Sequence, residues 1–412
     1  MSQSSIPNSW LSIPIKESFI SVSVTNKKLK QKEYKISGSI PVVDQGKDLI
    51  GGFTDDNNLK IKIEQPMIIF GDHTKILKFV SFDFAVGADG VKVLKPKKYF
   101  LPKLYYYFLH CVKFQDKGYA RHFQYLQKEA INLPPYEEQI RIVEKIEELF
   151  TKLDTSVTEL KNVKKQLKRY RQSVLKSAFD GKLTGIEITE YKNLDCYSDL
   201  ITKGASPKWQ GINYVDDKLA TLFVTSENVR DNYIDLTKEK YVEDSFNEKQ
   251  KRSILKKGDV LFNIVGASIG RAAIFDFDVK ANTNQAVSII RLNKELSQKY
   301  LTYFLNSESA KKKYMSWTVD VARANLSLKN VSDIPIPSVS IEEQQKIVEE
   351  IESRLMVADK IEEVIDKNLK RTEQLRQSIL KKAFKGKLVP QDPNDPPAEK
   401  LLERIKKEKV KR

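Results

Sequence analysis

The chain has 412 residues, 40 % of them apolar, with 19 Phe and 17 Tyr. At about 100–200 residues per domain this length suggests several domains, and the composition excludes a disordered chain. It carries 71 Lys and Arg against 55 Asp and Glu, a net charge of +16. That excess points to a polyanionic partner, with a merely Lys-rich protein as the plain alternative.

Taken in chain order, "MSQSSIPNSWLSIPIKES" has no basic segment followed by an apolar run, so no secretory leader is expected. A β-rich run follows, "QPMIIFGDHTKILKFVSFDFAVGADGVKVL", with short apolar strands broken by Gly-Asp and Gly-Ala. "KLYYYFL" at 103–109 reads as a helix, and "INLPP" closes the first module. A long helix is expected from about 137 to 180, some 65 Å at ~1.5 Å per residue. Its positions 142, 146, 149, 153, 156, 160, 163, 167, 170 and 174 step by four and three, and only Ser156 among them is polar. That is a heptad seam.

A second β-rich run, "KKGDVLFNIVGASIGRAAIFDFDVKANTNQAVSIIRL", is followed by "KYLTYFL" at 299–305 and by "IPIP". Then comes a second long helix. Ile347, Ile351, Ala358, Ile361, Ile365, Leu375 and Ile379 fit its seam. Arg354, Asn368 and Thr372 do not, and Leu355 and Leu369 carry the stripe one place along. Ser340 to Glu343 forms a capping box, Pro134 and Pro135 open the first helix, and Gly181 and Gly386 stand at C-cap positions. The reading is a module over 1–133, a helix over 134–185, a module over 186–338, a helix over 339–388 and a basic tail over 389–412. In that tail a short helix can begin at Pro397.

The two halves are copies. "EEQIRIVEKIEELF" at 137 lies over "EEQQKIVEEIESRL" at 342, an offset of 342 − 137 = 205. "RQSVLKSAFDGKL" at 171 lies over "RQSILKKAFKGKL" at 376 with 10 of 13 residues identical. Each seam must be covered, by the other copy packed parallel or antiparallel, or by a second protein.

Several chemistries are excluded. "LPPY" (Leu133 to Tyr136) comes within one residue of the motif of DNA amino-methyltransferases, but Leu133 cannot accept a bond from a base amino group. Asn132 stands one place early, and "DPPA" at 395–398 lacks the aromatic. There is no phosphate-binding loop, and "GASIGR" (266–271) reads as a tight turn between strands. His73, His110 and His122 are too scattered for a metal cage. Cys111 and Cys196 make no disulfide framework, so a reducing, cytoplasmic compartment is expected. No stretch approaches 18 apolar residues, so no membrane span is expected.

The "IPIP…EEQ…IV" start, the "LRQSILKKAFKGKLV" end and their near-copy at 133–184 resemble the repeated helical regions of the specificity subunits of Type I restriction–modification systems. "GDVLFNIVGASIGRAAI" with "TNQAV" resembles their target-recognition domain, and "IPVVDQG…IIFGDHT…FAVGADGVKVL" resembles another version of it. The resemblance implies an α+β fold, with two pseudo-repeated α/β target-recognition domains separated by two long antiparallel coiled-coil helices. It implies that each domain reads one half of a bipartite site in double-stranded DNA and that the helices set the gap. Two methyltransferase (modification) subunits would dock on this chain, and restriction (translocation) subunits would join through them. S-adenosylmethionine, ATP and Mg2+ would belong to those partners, and this subunit would have no cofactor, metal or catalytic residue of its own. The rival readings are a coiled-coil scaffold that binds protein, or the recognition module of a different restriction architecture.

The candidate DNA-binding residues follow from position and chemistry. "GDHTKILK" offers His73, Lys75 and Lys78. "KGYARHFQY" offers Lys117, Tyr119, Arg121, His122 and Gln124. In the second module Arg271 follows the "GASIG" turn, "KANTNQ" offers Asn282, Asn284 and Gln285, and "DVARANLSLKN" offers Arg323, Asn325, Ser327 and Lys329. Arg suits guanine, Asn and Gln suit adenine, and Lys suits phosphate. Each has a bland reading beside it as a solvated loop residue. Asn282 and Asn284 equally suit turns, and His73 equally suits packing on Asp72.

Overall fold

The computed structural model describes residues 6–24, 27–87, 90–113, 118, 120–317 and 324–410. Its contacts divide it into two units, 1–160 with 367–412, and 161–366. Both divisions fall inside long helices.

The first unit contains β1 (Leu11–Pro14), β2 (Phe19–Val22), β3 (Lys28–Leu29), β4 (Ile40–Val43), β5 (Gly52–Thr54), β6 (Met67–Gly71), β7 (Leu77–Val80), β8 (Ala85–Gly87), β9 (Val91–Pro96) and β10 (Ala130–Leu133). They form sheets in the orders β2-β9-β6-β7, β3-β8-β4-β5 and β1-β10. The central strand β6, "MIIFG", is buried along its whole length. Its alternation explains why. Ile68 and Phe70 face a core shared with the helices, while Met67 and Ile69 face a core that also takes Val43 and Val86 from the second sheet. A strand covered on both faces needs a continuous apolar run.

The second unit repeats this plan. Its strands are β11 (Tyr191–Asn193), β12 (Ser198–Lys203), β13 (Tyr214–Val215), β14 (Thr221–Val224), β15 (Tyr241–Val242), β16 (Val260–Asn263), β17 (Ala272–Ile274), β18 (Ala281–Thr283), β19 (Val287–Leu292) and β20 (Pro335–Pro337). The sheet orders are β12-β19-β16-β17, β13-β15-β14-β18 and β11-β20. Thus β16, β17 and β19 stand where β6, β7 and β9 stand in the first unit. The parallel pair β4 with β8 recurs as β14 with β18. In β16, Val260 and Phe262 turn to the helical core and Leu261 to the second sheet.

The long helices run Tyr136–Phe179 and Ile341–Phe384. They are antiparallel. In the first unit Arg376 reaches back to Asp154 and lies 4.8 Å over the ring of Phe150. In the second, Lys164 holds Asp366 at 2.7 Å and Glu362 at 3.2 Å, while Arg171 holds Glu362 at 2.7 Å and Asp359 at 2.5 Å. Partner numbers fall as the donor number rises, as antiparallel packing requires. The ends behave as read. Ser340 Oγ accepts from the Glu343 amide and Glu343 returns the bond, and Gly181 and Gly386 take φ of +74° and +66°.

The seam itself needs correction. Ile142, Ile146, Leu167 and Val174 are buried, but Val163 and Tyr170 are 38 % and 40 % exposed. On the second helix Ile361 and Leu375 are each 42 % exposed, while Thr372 is buried and Leu355 and Leu369 are half-buried. A helix with 3.6 residues per turn drifts by about 20° per heptad, so the buried line leaves a strict heptad set.

In the first unit the chain beyond Phe384 folds back. The Ala398 amide donates to the Ser9 carbonyl, Arg141 Nη2 meets Asp395 Oδ2 at 2.5 Å, and Ala398 and Leu401 enter the core. Trp10 Nε1 donates to Glu138 at 2.8 Å, and burial pushes the Glu138 carboxyl up from its ordinary value. The tail helix runs Ala398–Val410. Among the described residues no helix is long and apolar enough to cross a membrane.

Candidate nucleic-acid interface

In the first unit, two segments chosen from the sequence meet at Asp72. This residue begins the connection from β6 to β7. Its carbonyl accepts from the His122 amide at 2.8 Å, and its Oδ1 accepts from the Phe123 amide at 2.8 Å. Its own amide donates to the Gly90 carbonyl, and Lys92 lies 3.8 Å from its carboxylate. So the 72–76 loop, residue 90 and the 120–124 segment form one edge. Thr74 Oγ1 adds the 44–46 loop by donating to the Gln45 carbonyl at 2.9 Å. On this edge Arg121 and Gln124 are exposed, and His73 and Lys75 are half-buried. Lys75 sits at φ +59°, a left-handed conformation that the tight connection imposes.

Two members of this set differ from expectation. Lys78 is only 4 % exposed, and its ammonium donates to the Asp48 carbonyl and to Asp44 Oδ1 at 3.3 Å. A buried ammonium needs such partners, so Lys78 pins the 44–48 loop to β7 and does not face a phosphate. His122 is buried, with Nδ1 3.1 Å from the Asp72 carbonyl. Lys117 and Tyr119 lie outside the described residues.

The second unit builds the equivalent edge from the β16–β17 connection. The Ile264 amide donates to the Ala286 carbonyl, the Gly266 amide to the Ala324 carbonyl, and the Leu326 amide to the Ile264 carbonyl, each at 2.9 Å. Asn263 is fully buried, and its Nδ2 donates to the Ser226 carbonyl at 2.9 Å. Residues 226, 264–271, 284–286 and 324–326 are therefore one cluster. "GASIGR" is the tight turn it was read as. Gly270 has φ +94°, and a Cβ there would sit 2.3 Å from Tyr314 Oη. Tyr314 is buried, donates to the Leu305 carbonyl at 3.0 Å, and burial pushes its hydroxyl pKa up. Arg271, Asn284 and Gln285 are half-buried on this edge, and Asn325 is exposed.

Asn282 is corrected as well. It is fully buried, with Nδ2 donating to Asn247 Oδ1 at 2.7 Å and to the Gln250 carbonyl, and Oδ1 accepting from Thr283. It ties β18 to the helix Ser245–Lys249 and has no free edge for a base. Asn284 Oδ1 accepts from the Ala286 amide and shapes the turn. Ser327 caps the helix Leu328–Ser332. Lys329 is exposed and pairs with Asp333 at 2.7 Å. Arg323 lies outside the described residues.

Sequence reasoning missed Asp72, Asn263 and Tyr314 as organisers of these edges. Asp72 carried a faint signal, since Gly-Asp after an apolar run marks the end of a strand. Tyr314 carried none. As for "LPPY", Leu133 is buried on β10, and Asn132 Nδ2 donates to the Phe384 carbonyl at 2.9 Å, closing the end of the second long helix.

The groups gathered are guanidinium, amide, imidazole and ammonium on the first edge and guanidinium and amide on the second, chemistry suited to base edges and phosphates. The family model described as Type I restriction modification DNA specificity domain matches residues 7–166 and 207–371. The chain is 33 % identical over 311 residues to the EcoBI Type I restriction enzyme specificity subunit of Escherichia coli, covering 69 % of this chain and 65 % of that one. It is 23 % identical over 461 aligned positions to the StySPI specificity subunit of Salmonella potsdam, covering 100 % and 97 %. It spans about two thirds of the first relative's length and all but a little of the second's. Among solved structures, one described as the structural basis of complex assembly and conformational transition of the type I R-M system matches with a TM-score of 0.65 at 18 % identity, covering 93 % of this chain and 100 % of that one. The HsdS subunit from Thermoanaerobacter tengcongensis matches with a TM-score of 0.50 at 16 % identity, covering 93 % and 98 %. The chain belongs to the family of Type I restriction–modification specificity subunits, with two matched DNA specificity domains.

Proposed function

We propose that this chain is the DNA-recognition subunit of a Type I restriction–modification complex and is not itself catalytic. Each recognition domain reads one half of a bipartite site, and the antiparallel helices set the spacing. The observation that carries this reading is the equivalence of the two edges. The β6–β7 and β16–β17 connections occupy the same place in the same strand plan, and each is bonded to the segment that precedes the last strand of its module. Two similar readers with different side chains suit two different half-sites.

In the first domain His73, Lys75, Arg121 and Gln124 are the proposed contacts. In the second they are Arg271, Asn284, Gln285, Asn325 and Lys329. The guanidinium and amide groups read base edges in the major groove, and the lysines hold phosphates. The net charge of +16 supplies the part of the affinity that does not depend on sequence.

The partners are two methyltransferase subunits, which bring S-adenosylmethionine, and restriction subunits, which bring ATP and Mg2+. The second long helix offers a docking stripe. Met356, Val357, Ile361 and Val364 are exposed along one side of it, at 56 %, 55 %, 42 % and 56 %.

The test is a map of modified adenines in a host that expresses this chain with its methyltransferase. A split motif with a fixed gap is expected. Exchanging residues 1–133 for the matching domain of a relative should change one half of the motif alone. If the motif is contiguous, or unchanged by the exchange, the reading fails.

A further inference from the structure

The two long helices start with the same triplet, Glu-Glu-Gln, at 137–139 and 342–344. The glutamines are almost wholly enclosed, at 0 % and 1 % exposure. A buried primary amide needs partners for two donors and its oxygen. Gln139 Nε2 donates to the Tyr99 carbonyl at 2.8 Å and to the Pro134 carbonyl at 3.0 Å, and Oε1 accepts from the Leu101 amide at 2.8 Å. Gln344 Nε2 donates to the Glu295 carbonyl at 2.9 Å and to the Val339 carbonyl at 3.1 Å, and Oε1 accepts from the Ser297 amide at 2.8 Å.

These are the same bonds in two units. Leu101 and Ser297 are the N-caps of the helices Pro102–Leu109 and Gln298–Leu305, and neither side chain caps its own helix. The amide therefore satisfies a free helix N–H from outside. Pro134 and Val339 lie in the short link between the last strand of each module and its long helix. One side chain thus joins the domain's small helix, the loop before it and the first turn of the long helix. The amide faces one N–H and two carbonyls, so neither a flipped amide nor a carboxylate can replace it.

We propose that Gln139 and Gln344 are positioning residues that fix each recognition domain in one orientation on its own long helix, and so make the complex selective for a single spacer length. They touch no base. The inference rests on the function proposed above, with the helices as the ruler. A ruler measures distance only if its heads do not pivot.

The test uses the whole complex, this chain with its methyltransferase subunits, and the modification map of host DNA. Gln344→Met keeps the length and shape and removes all three bonds, and Gln139→Met does the same at the other domain. The expected result is unchanged half-sites with relaxed spacing. Sites one base pair longer or shorter should gain modification relative to native sites by about tenfold over wild type. If a Met variant yields no folded complex, Gln344→Glu takes its place, since it keeps the acceptor for the Ser297 amide. Wild-type spacing selectivity in a folded variant overturns the proposal, as does a changed half-site. A wild-type map without any split motif instead overturns the function on which it rests.

Discussion

Arg171 donates to Asp359 at 2.5 Å in the second unit, and in the first unit Arg376 makes the same bridge to Asp154. The numbers are related by the internal repeat, since 171 + 205 = 376 and 154 + 205 = 359. The donor lies on one helix in one unit and on the other helix in the other. This is the contact pattern of a self-complementary antiparallel pair, in which residue i meets j and j meets i. It marks one register out of many that an apolar seam alone would tolerate. Arg171→Ala should cost no more than about 1 kcal/mol, because Asp359 stands largely in water. Arg376→Glu should cost more, since it sets like charges together and removes the guanidinium from the Phe150 ring. Adding Asp154→Arg should recover most of the loss in denaturant midpoint.

Gly270→Ala should destabilise the second unit by about 2 kcal/mol, from the left-handed backbone and the contact with Tyr314. Tyr314→Phe in that background should recover part of the loss, because the hydroxyl is the nearest atom. Thermal unfolding of the four chains closes the cycle. Two independent, additive costs would mean that the contact is not the cause.

Asp72→Ala should release the 120–124 segment from the β6–β7 connection. The readout is amide hydrogen exchange at Phe123, which loses its acceptor and should speed up while exchange in β6 stays slow. The lost bond and stranded donor amount to about 1–3 kcal/mol. Selectivity should relax at the first half of the motif only.

Arg121 and Lys78 separate surface charge from buried charge. Arg121→Gln should relax selectivity at the first half-site and, because it removes an exposed charge, also lower the salt slope. Lys78→Gln should leave the slope unchanged and lower stability by about 3 kcal/mol, because Asp44 loses its buried partner. A reduced slope with unchanged stability in the Lys78 variant would contradict the burial described above.

Glu138 gives a pH dependence. Burial raises its carboxyl above the ordinary 4.5, so just above pH 4.5 the folded chain binds more protons than the unfolded one. Its contribution to stability is present below pH 4.5 and is lost as pH rises through the folded value. Glu138→Gln removes this dependence. The melting temperature of wild type minus that of the variant should therefore fall as pH rises from 4.5 toward neutrality. A difference that grows with pH would reverse the assignment.

Much of this was legible in the sequence. The repeat is a match of letters 205 residues apart, while the capping box at Ser340, the glycine ends at Gly181 and Gly386 and the Gly266–Gly270 turn depend on residues within a few places of one another. Local chemistry settles such features. The heptad seam was legible in part, because a pattern of period 3.5 on a straight helix of period 3.6 leaves Leu355 half-buried against the core and Ile361 exposed. The buried glutamines were visible only as identical letters in two copies.

By itself, then, the sequence determined two copies of one plan, each with its long helix, and offered loops as candidates for contacts. The tertiary structure decided which polar side chains on those loops face outward. Lys78 is consumed by Asp44, 34 residues away, and Asn282 by Asn247, 35 residues away, while Arg121 and Asn325 stay exposed. No local pattern distinguishes these cases, because a lysine or an amide is compatible with both water and a buried partner. Which one it meets depends on where distant strands bring their turns.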